Sequence, residues 1–156
     1  MKKLHPKSHR LKAILGLDAK NPAIVLPDAD INNAVSECIM GSLSFNGQRC
    51  TALKILFVHK SILDEFIDKF TKEVSKQKPG MPWEPGISLT PLPEPGKVEF
   101  LRGLVEDAKA HGANVVNEHG GEFFHTFFYP AVLYPVNDKM KIYAEEQFGT
   151  VVAIGT

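Results

Sequence analysis

Ile31, Ala34, Val35, Cys38, Ile39, Ser42 and Leu43 recur at spacings of three and four, which predicts one helical face, apolar except for Ser42. Asp28 and Asp30 stand ahead of it as candidate N-caps, with charge suited to a first turn. Before them, residues 22–26 (Pro-Ala-Ile-Val-Leu) make a short apolar run closed by Pro27, the pattern of a buried parallel strand. Leu53 to His59 predicts the next strand. Ser61 is placed to cap a following helix with Asp64 at its third position. Ile62, Phe66, Phe70 and Val74 repeat every four residues as that helix's buried edge.

Residues 79–96 hold six of the eleven prolines, with Gly80, Gly86 and Gly96. Proline lacks the N–H a ladder needs and restricts the residue before it, so this stretch predicts an irregular, semi-rigid connection. Its spacing also fits proline-binding domains, but a packed surface loop is the expectation, with Trp83 as its anchor. Val98, Leu101, Leu104, Val105 and Ala108 mark a third helix, stopped at Gly112. Ala113 to Asn117 predicts a short strand, Gly120-Gly121 a turn, and Phe127 to Leu133 a strand interrupted by Pro130. Met140 to Glu145 reads as a helical turn and Val151 to Ile154 as a last strand. Strands alternating with helices argue for an α/β layer with a mostly parallel sheet.

At 156 residues the chain is one domain by length, long enough to bury about two-thirds of its unfolded surface. Net charge is zero, yet residues 1–12 carry five basic groups and no acid. This basic arm reads as a solvated end rather than a nucleic-acid site, because no stacking aromatics accompany it. Two cysteines do not make a disulfide scaffold, and neither a membrane span nor a secretory signal is visible. A cytoplasmic location follows as the expectation.

Cys38 falls within the helical stripe and reads as a small core residue. Cys50 lies beyond it, in the stretch Phe45-Asn46-Gly47-Gln48-Arg49-Cys50-Thr51-Ala52-Leu53-Lys54, between the predicted helix and the next strand. Thiolate is the reactive form of cysteine, and neighbouring cations or backbone N–H groups favour it. Loops held between rigid elements often present catalytic side chains, although a small apolar residue at a helix end fits the same pattern. His119 and His125 sit in a loop rich in glycine and aromatics, and no metal role is expected for them.

Phe-Asn-Gly-Gln-Arg-Cys-Thr-Ala resembles the nucleophile segment of the NAD(P)-dependent aldehyde dehydrogenases, especially their non-phosphorylating glyceraldehyde-3-phosphate dehydrogenase branch. Leu15 to Pro22 resembles the segment upstream of that nucleophile, and Glu145-Glu146-Gln147-Phe148-Gly149 the downstream Glu-Glu-x-Phe-Gly signature. The similarity covers nearly the whole chain in the right order. It implies a three-layer, open twisted, mostly parallel sheet with flanking helices, an incomplete catalytic domain over residues 1–156. Cys50 is then the nucleophile that forms a thioester with an aldehyde, and Arg49 either a ligand of the substrate phosphate or an ordinary ion-pair partner. Glu146 would meet the ribose hydroxyls of NAD or NADP, with Phe148 packing near the nicotinamide.

Two departures stand out. The family usually has glutamate, its hydrolytic base, at the position of Gly16. Asp18 lies two residues on, and along an extended strand it would share that face, displaced by about 7 Å. Thr150 replaces the proline that commonly follows Phe-Gly, which is expected to loosen the turn. A coenzyme-binding domain and the usual oligomerisation strand are missing from the resemblance. The chain is therefore expected to be a truncated product or an excised piece, inactive alone. Its last strand should leave an unpaired sheet edge and favour a homo-oligomer. A pseudoenzyme acting as an interaction module, and a dehydrogenase that passes its acyl group to coenzyme A, remain alternatives.

Overall fold

Alternation along the central strands divides the interior into two cores. Ile55, Leu133, Val151 and Ala153 belong to one buried cluster, while Leu56, Val58, Val132, Val152 and Ile154 belong to the other. A strand covered on both faces has no polar side to show, so its sequence reads as continuous apolar residues. In the computed structural model, which describes residues 4–10, 12 and 16–156, these strands form the middle of a single five-stranded sheet. Of the basic arm, Lys2 and Lys3 lie outside the described residues, as does Leu15 of the upstream motif.

In chain order the elements are β1 (Asn21–Val25), α1 (Ile31–Leu43), β2 (Leu53–Val58), α2 (Leu63–Ser75) and α3 (Lys97–Ala110). Then come β3 (Asn114–Val115), β4 (Phe123–Phe124), β5 (Phe127–Phe128), β6 (Ala131–Tyr134), α4 (Lys141–Ala144) and β7 (Val151–Gly155). The sheet order is β1-β2-β7-β6-β3, parallel except where β3 meets β6. Helices α1 and α2 bury Val35, Cys38, Phe66, Phe70 and Val74 against one face. Helix α3 buries Val98, Leu101, Leu104, Val105 and Ala108 against the other, with Ile142 of α4. Fully burying one such side chain contributes roughly 1.5–3 kcal/mol. The three-layer α/β architecture expected from the sequence is therefore present.

Five expectations need correction. The run 22–26 is not a buried strand: β1 lies at an edge of the sheet, and of its five residues only Val25 is buried. The last strand is not an edge: β7 lies between β2 and β6, and all five of its residues are buried. Ser61 does not cap α2. The chain first makes a 3-10 turn at Lys60–Ile62, capped by the His59 ring, which accepts from the Ser61 backbone N–H. Trp83 does not anchor the proline-rich connection, since it is 75% exposed; Leu89 and Leu92 are the buried residues there. The turn at Thr150 is not loosened. Its buried hydroxyl donates to the Phe128 carbonyl at 3.0 Å, and its own carbonyl accepts from Ala131 N–H. In addition, Pro130 splits the expected strand 127–133, and β5 pairs with β4 in a separate two-stranded hairpin.

Candidate active site

Helix α1 begins at Asp30, whose carboxylate accepts the Asn32 and Asn33 N–H groups, and it runs straight into the cysteine loop. Three successive residues, Phe45, Asn46 and Gly47, then take positive φ. A left-handed residue with a side chain costs roughly 1–2 kcal/mol, and here tertiary contacts hold the turn. The Asn46 amide accepts Thr90 N–H at 3.0 Å and donates to the Thr90 hydroxyl at 2.8 Å, which ties the loop to the proline-rich connection. Gly47 has no alternative: a Cβ there would lie 2.6 Å from the Gly149 carbonyl oxygen and 2.7 Å from that of Ser42. The loop thus rests backbone to backbone on the Phe148-Gly149 turn.

Cys50 emerges from this loop exposed, whereas Cys38 is buried. The Asn21 side chain, at the start of β1, donates to the carbonyls of Cys50 at 2.6 Å and Ala52 at 3.0 Å. Burial, assisted by Glu37, pushes the Cys38 thiol up to about 11. Of the two thiols, Cys50 alone is open to a reactant.

Behind the loop lies Lys54, whose side chain is only 1% exposed. Its ammonium donates to the carbonyls of Gly47 at 3.1 Å and Arg49 at 2.9 Å. It also pairs with Glu146 at 3.6 Å, beyond hydrogen-bond reach, and stands 4.9 Å from the Phe148 ring centroid. Burial holds Lys54 below the usual lysine range, opposed by Glu146, whose negative charge favours the ammonium. Glu146 is itself 13% exposed, and its Oε1 has no hydrogen-bond partner. Phe148 adopts φ 43°, and the Lys97 ammonium lies 5.7 Å from its ring.

Lys20 and Gln147 brace the same turn from below. Gln147, buried, donates to the carbonyls of Lys54 and Val151, both at 2.8 Å, and accepts from the Lys20 ammonium at 2.8 Å. Lys20 also donates to the Glu145 carbonyl at 2.8 Å. Burial, then the charge of Lys54, lowers the Lys20 pKa to about 7.

The residues singled out in the sequence therefore meet: Arg49, Glu146 and Phe148 surround one ammonium, with Cys50 next along the loop. The Arg49 guanidinium itself turns back to α1. It donates to the Met40 and Gly41 carbonyls at 3.3 Å and to the Ser44 hydroxyl at 2.6 Å, and lies 5.6 Å from the Phe45 ring. A cation at a helix C-terminus is favourable there. Its Nε is buried without a hydrogen-bond partner. Gly16 and Asp18 are exposed and precede β1 as irregular backbone, so the shared-face relation of a strand does not apply to them. The sequence alone does not mark Lys54, Gln147 or Lys20 as site residues. A signal existed for Lys54: a lone cation in an otherwise apolar central strand has to be buried, and a buried ammonium needs partners.

The whole chain, residues 1–156, matches the model of the aldehyde dehydrogenase family. It is 38% identical over 138 residues to the NADP-dependent glyceraldehyde-3-phosphate dehydrogenase of Arabidopsis thaliana, covering 88% of this chain and 27% of that protein. It is 37% identical over 145 residues to succinate-semialdehyde dehydrogenase [NADP(+)] 1 of Mycobacterium tuberculosis, covering 90% and 31%. The crystal structure of the Bacillus halodurans NADP-dependent glyceraldehyde-3-phosphate dehydrogenase, complexed with NADP, superposes with a TM-score of 0.83 at 33% identity, over 88% of this chain and 28% of that one. The chain thus spans less than a third of the length of each of these three proteins. The loop geometry and the family match agree, and the chain belongs to the aldehyde dehydrogenase family.

Proposed function

We propose that this chain is the nucleophile-bearing catalytic portion of an NAD(P)-dependent aldehyde dehydrogenase, with Cys50 attacking the aldehyde. The observation that carries this reading is an exposed Cys50 on a loop braced, through Lys54, against Glu146 and Phe148. The Cys50 thiolate adds to the carbonyl carbon as the C=O π pair moves to oxygen, and loss of hydride from that tetrahedral adduct would leave the thioester. The nicotinamide of NAD or NADP, when bound, supplies the hydride acceptor. The chain fits such a coenzyme at two points. The buried Oε1 of Glu146 lacks a donor, which a ribose hydroxyl would provide, and the Phe148 ring offers an apolar surface.

Glyceraldehyde 3-phosphate is the candidate substrate, supported by the NADP-dependent relatives and by Arg49 beside the nucleophile. In that role the guanidinium would exchange its contacts at the end of α1 for phosphate oxygens. Gly16 brings no carboxylate to hydrolysis, which favours as a second reading the transfer of the acyl group to a thiol such as coenzyme A. Two coenzyme-facing side chains are far from a dinucleotide site, so this chain by itself is expected to form no NADPH. The partner in the proposed reaction is a small-molecule aldehyde.

Alkylation with iodoacetamide followed by peptide mapping tests the assignment. Cys50 should be labelled and Cys38 spared, and excess glyceraldehyde 3-phosphate should slow the labelling. Absorbance of reduced nicotinamide should stay flat with aldehyde and NADP present. Preferential labelling of Cys38, or labelling of Cys50 indifferent to aldehydes, would overturn the reading of Cys50. Repeated turnover would overturn the expectation that this chain is inactive alone.

A further inference from the structure

Position 54 lies in β2, where Ile55 and Leu56 are fully apolar and buried, and a methionine would fill the same stem volume. What only lysine adds is an ammonium in the interior. That group makes contacts on two segments distant in sequence: the carbonyls of Gly47 and Arg49 on the cysteine loop, and the carboxylate of Glu146 with the ring of Phe148 on the turn before β7. We propose that Lys54 is a positioning residue, its buried ammonium holding the Cys50 loop in register with the Glu146–Phe148 turn.

The physical grounds are those of a buried ion pair. Removing one partner leaves the other charge uncompensated, which is far more disruptive than replacing both by apolar groups. Oε1 of Glu146 makes no hydrogen bond; the ammonium of Lys54 at 3.6 Å is its ion-pair partner, with the charge of Lys20 acting from farther off. Without the ammonium, the carbonyls of Gly47 and Arg49 lose donors as well. The other charged groups near Lys54 are Arg49 and Lys20, which disfavour the ammonium, and Cys50, which as thiolate favours it. Lys20 does not duplicate the tie: its hydrogen bonds go to the Glu145 carbonyl and the Gln147 side chain, on the turn alone, and none reaches the cysteine loop. The tie is therefore specific to one atom, and it links the nucleophile side of the site to the coenzyme side.

The functional meaning of the tie rests on the reading of Cys50 as the nucleophile, but its existence does not. Hydrogen exchange followed by mass spectrometry separates the two. In Lys54→Met, peptides covering 45–52 and 144–150 should both exchange at least about tenfold faster, while α2 and α3 keep their protection. In Glu146→Gln, the 144–150 peptide alone should loosen, because the bonds from Lys54 to the loop carbonyls remain. Unchanged exchange of both peptides in Lys54→Met would show that the stem merely fills space, and would overturn the proposal. Should Lys54→Met unfold throughout, with Cys38 becoming alkylated, Glu146→Gln decides: faster exchange confined to 144–150 supports the tie, and no change there overturns it. A Cys50 that ignores aldehydes would refute the proposed activity while leaving these exchange patterns as they are.

Discussion

Lys20 shows at a single residue how the site shapes the pH response. Its folded pKa, about 7, lies below the ordinary 10.5, so between those values the unfolded chain holds a proton that the folded one has released. Stability from this group therefore grows as pH rises through the window, is complete above it, and is lost as pH falls to 7. Cys38 acts in the opposite sense and higher up: with its thiol moved from 9.0 to about 11, it weakens the fold as pH climbs between those values. Between pH 7 and 9 the two effects separate. The urea midpoint of the unaltered chain should rise more steeply over that range than that of Lys20→Met, and parallel curves would refute the assignment. Gly47 and Cys50 were legible in the sequence because their motif is local. The burial of Lys54 has a signal in the sequence, a lone cation in an apolar strand, but its partners, like those of Gln147, exist only once β2, β7 and the loop come together across more than ninety residues.

At the level of elements, helices and central strands were readable from periodicity, since a 3.6-residue stripe or an unbroken apolar run fits few other structures. Caps and loop anchors were less so. Asp30 caps α1 as its position implies, because a carboxylate ahead of a stripe needs only the next turn to act. Ser61 does not cap α2 because His59, two residues earlier, accepts its N–H and starts a 3-10 turn instead. Trp83 failed because the proline-rich connection packs through Leu89 and Leu92, and Asn46 holds it at Thr90. Asp30→Ala removes two capping bonds and should lower stability by about 1 kcal/mol. A thermal midpoint equal to that of the parent would count against the cap. Helix α2 should not notice Ser61→Ala to the same degree, since Ser61 makes no bond to its first turn.

For the molecule as a whole, the edges of the sheet are β1 and the two-residue β3 rather than β7, and β1 is the longer of the two. Among the described residues β1 pairs only with β2, and Ile24 and Leu26 nearby are 70% and 57% exposed. An uncovered strand with apolar side chains invites pairing with another chain. Light scattering should therefore show mass rising with concentration, and Ile24→Lys should suppress that rise. A monomer at every concentration would contradict it.

The place of β7 has a consequence for how the chain is made. Of the five strands in the sheet it is the last to leave the ribosome, yet it joins β2 to β6. Until residues 151–155 emerge, β1–β2 and β6–β3 are two detached pairs, each with an apolar strand lacking its neighbour. Synthesis proceeds at about 5–20 residues per second, so those strands wait for seconds with their flanks open. During that interval the nascent protein depends on whatever shields it, and the sheet closes from its outside inward.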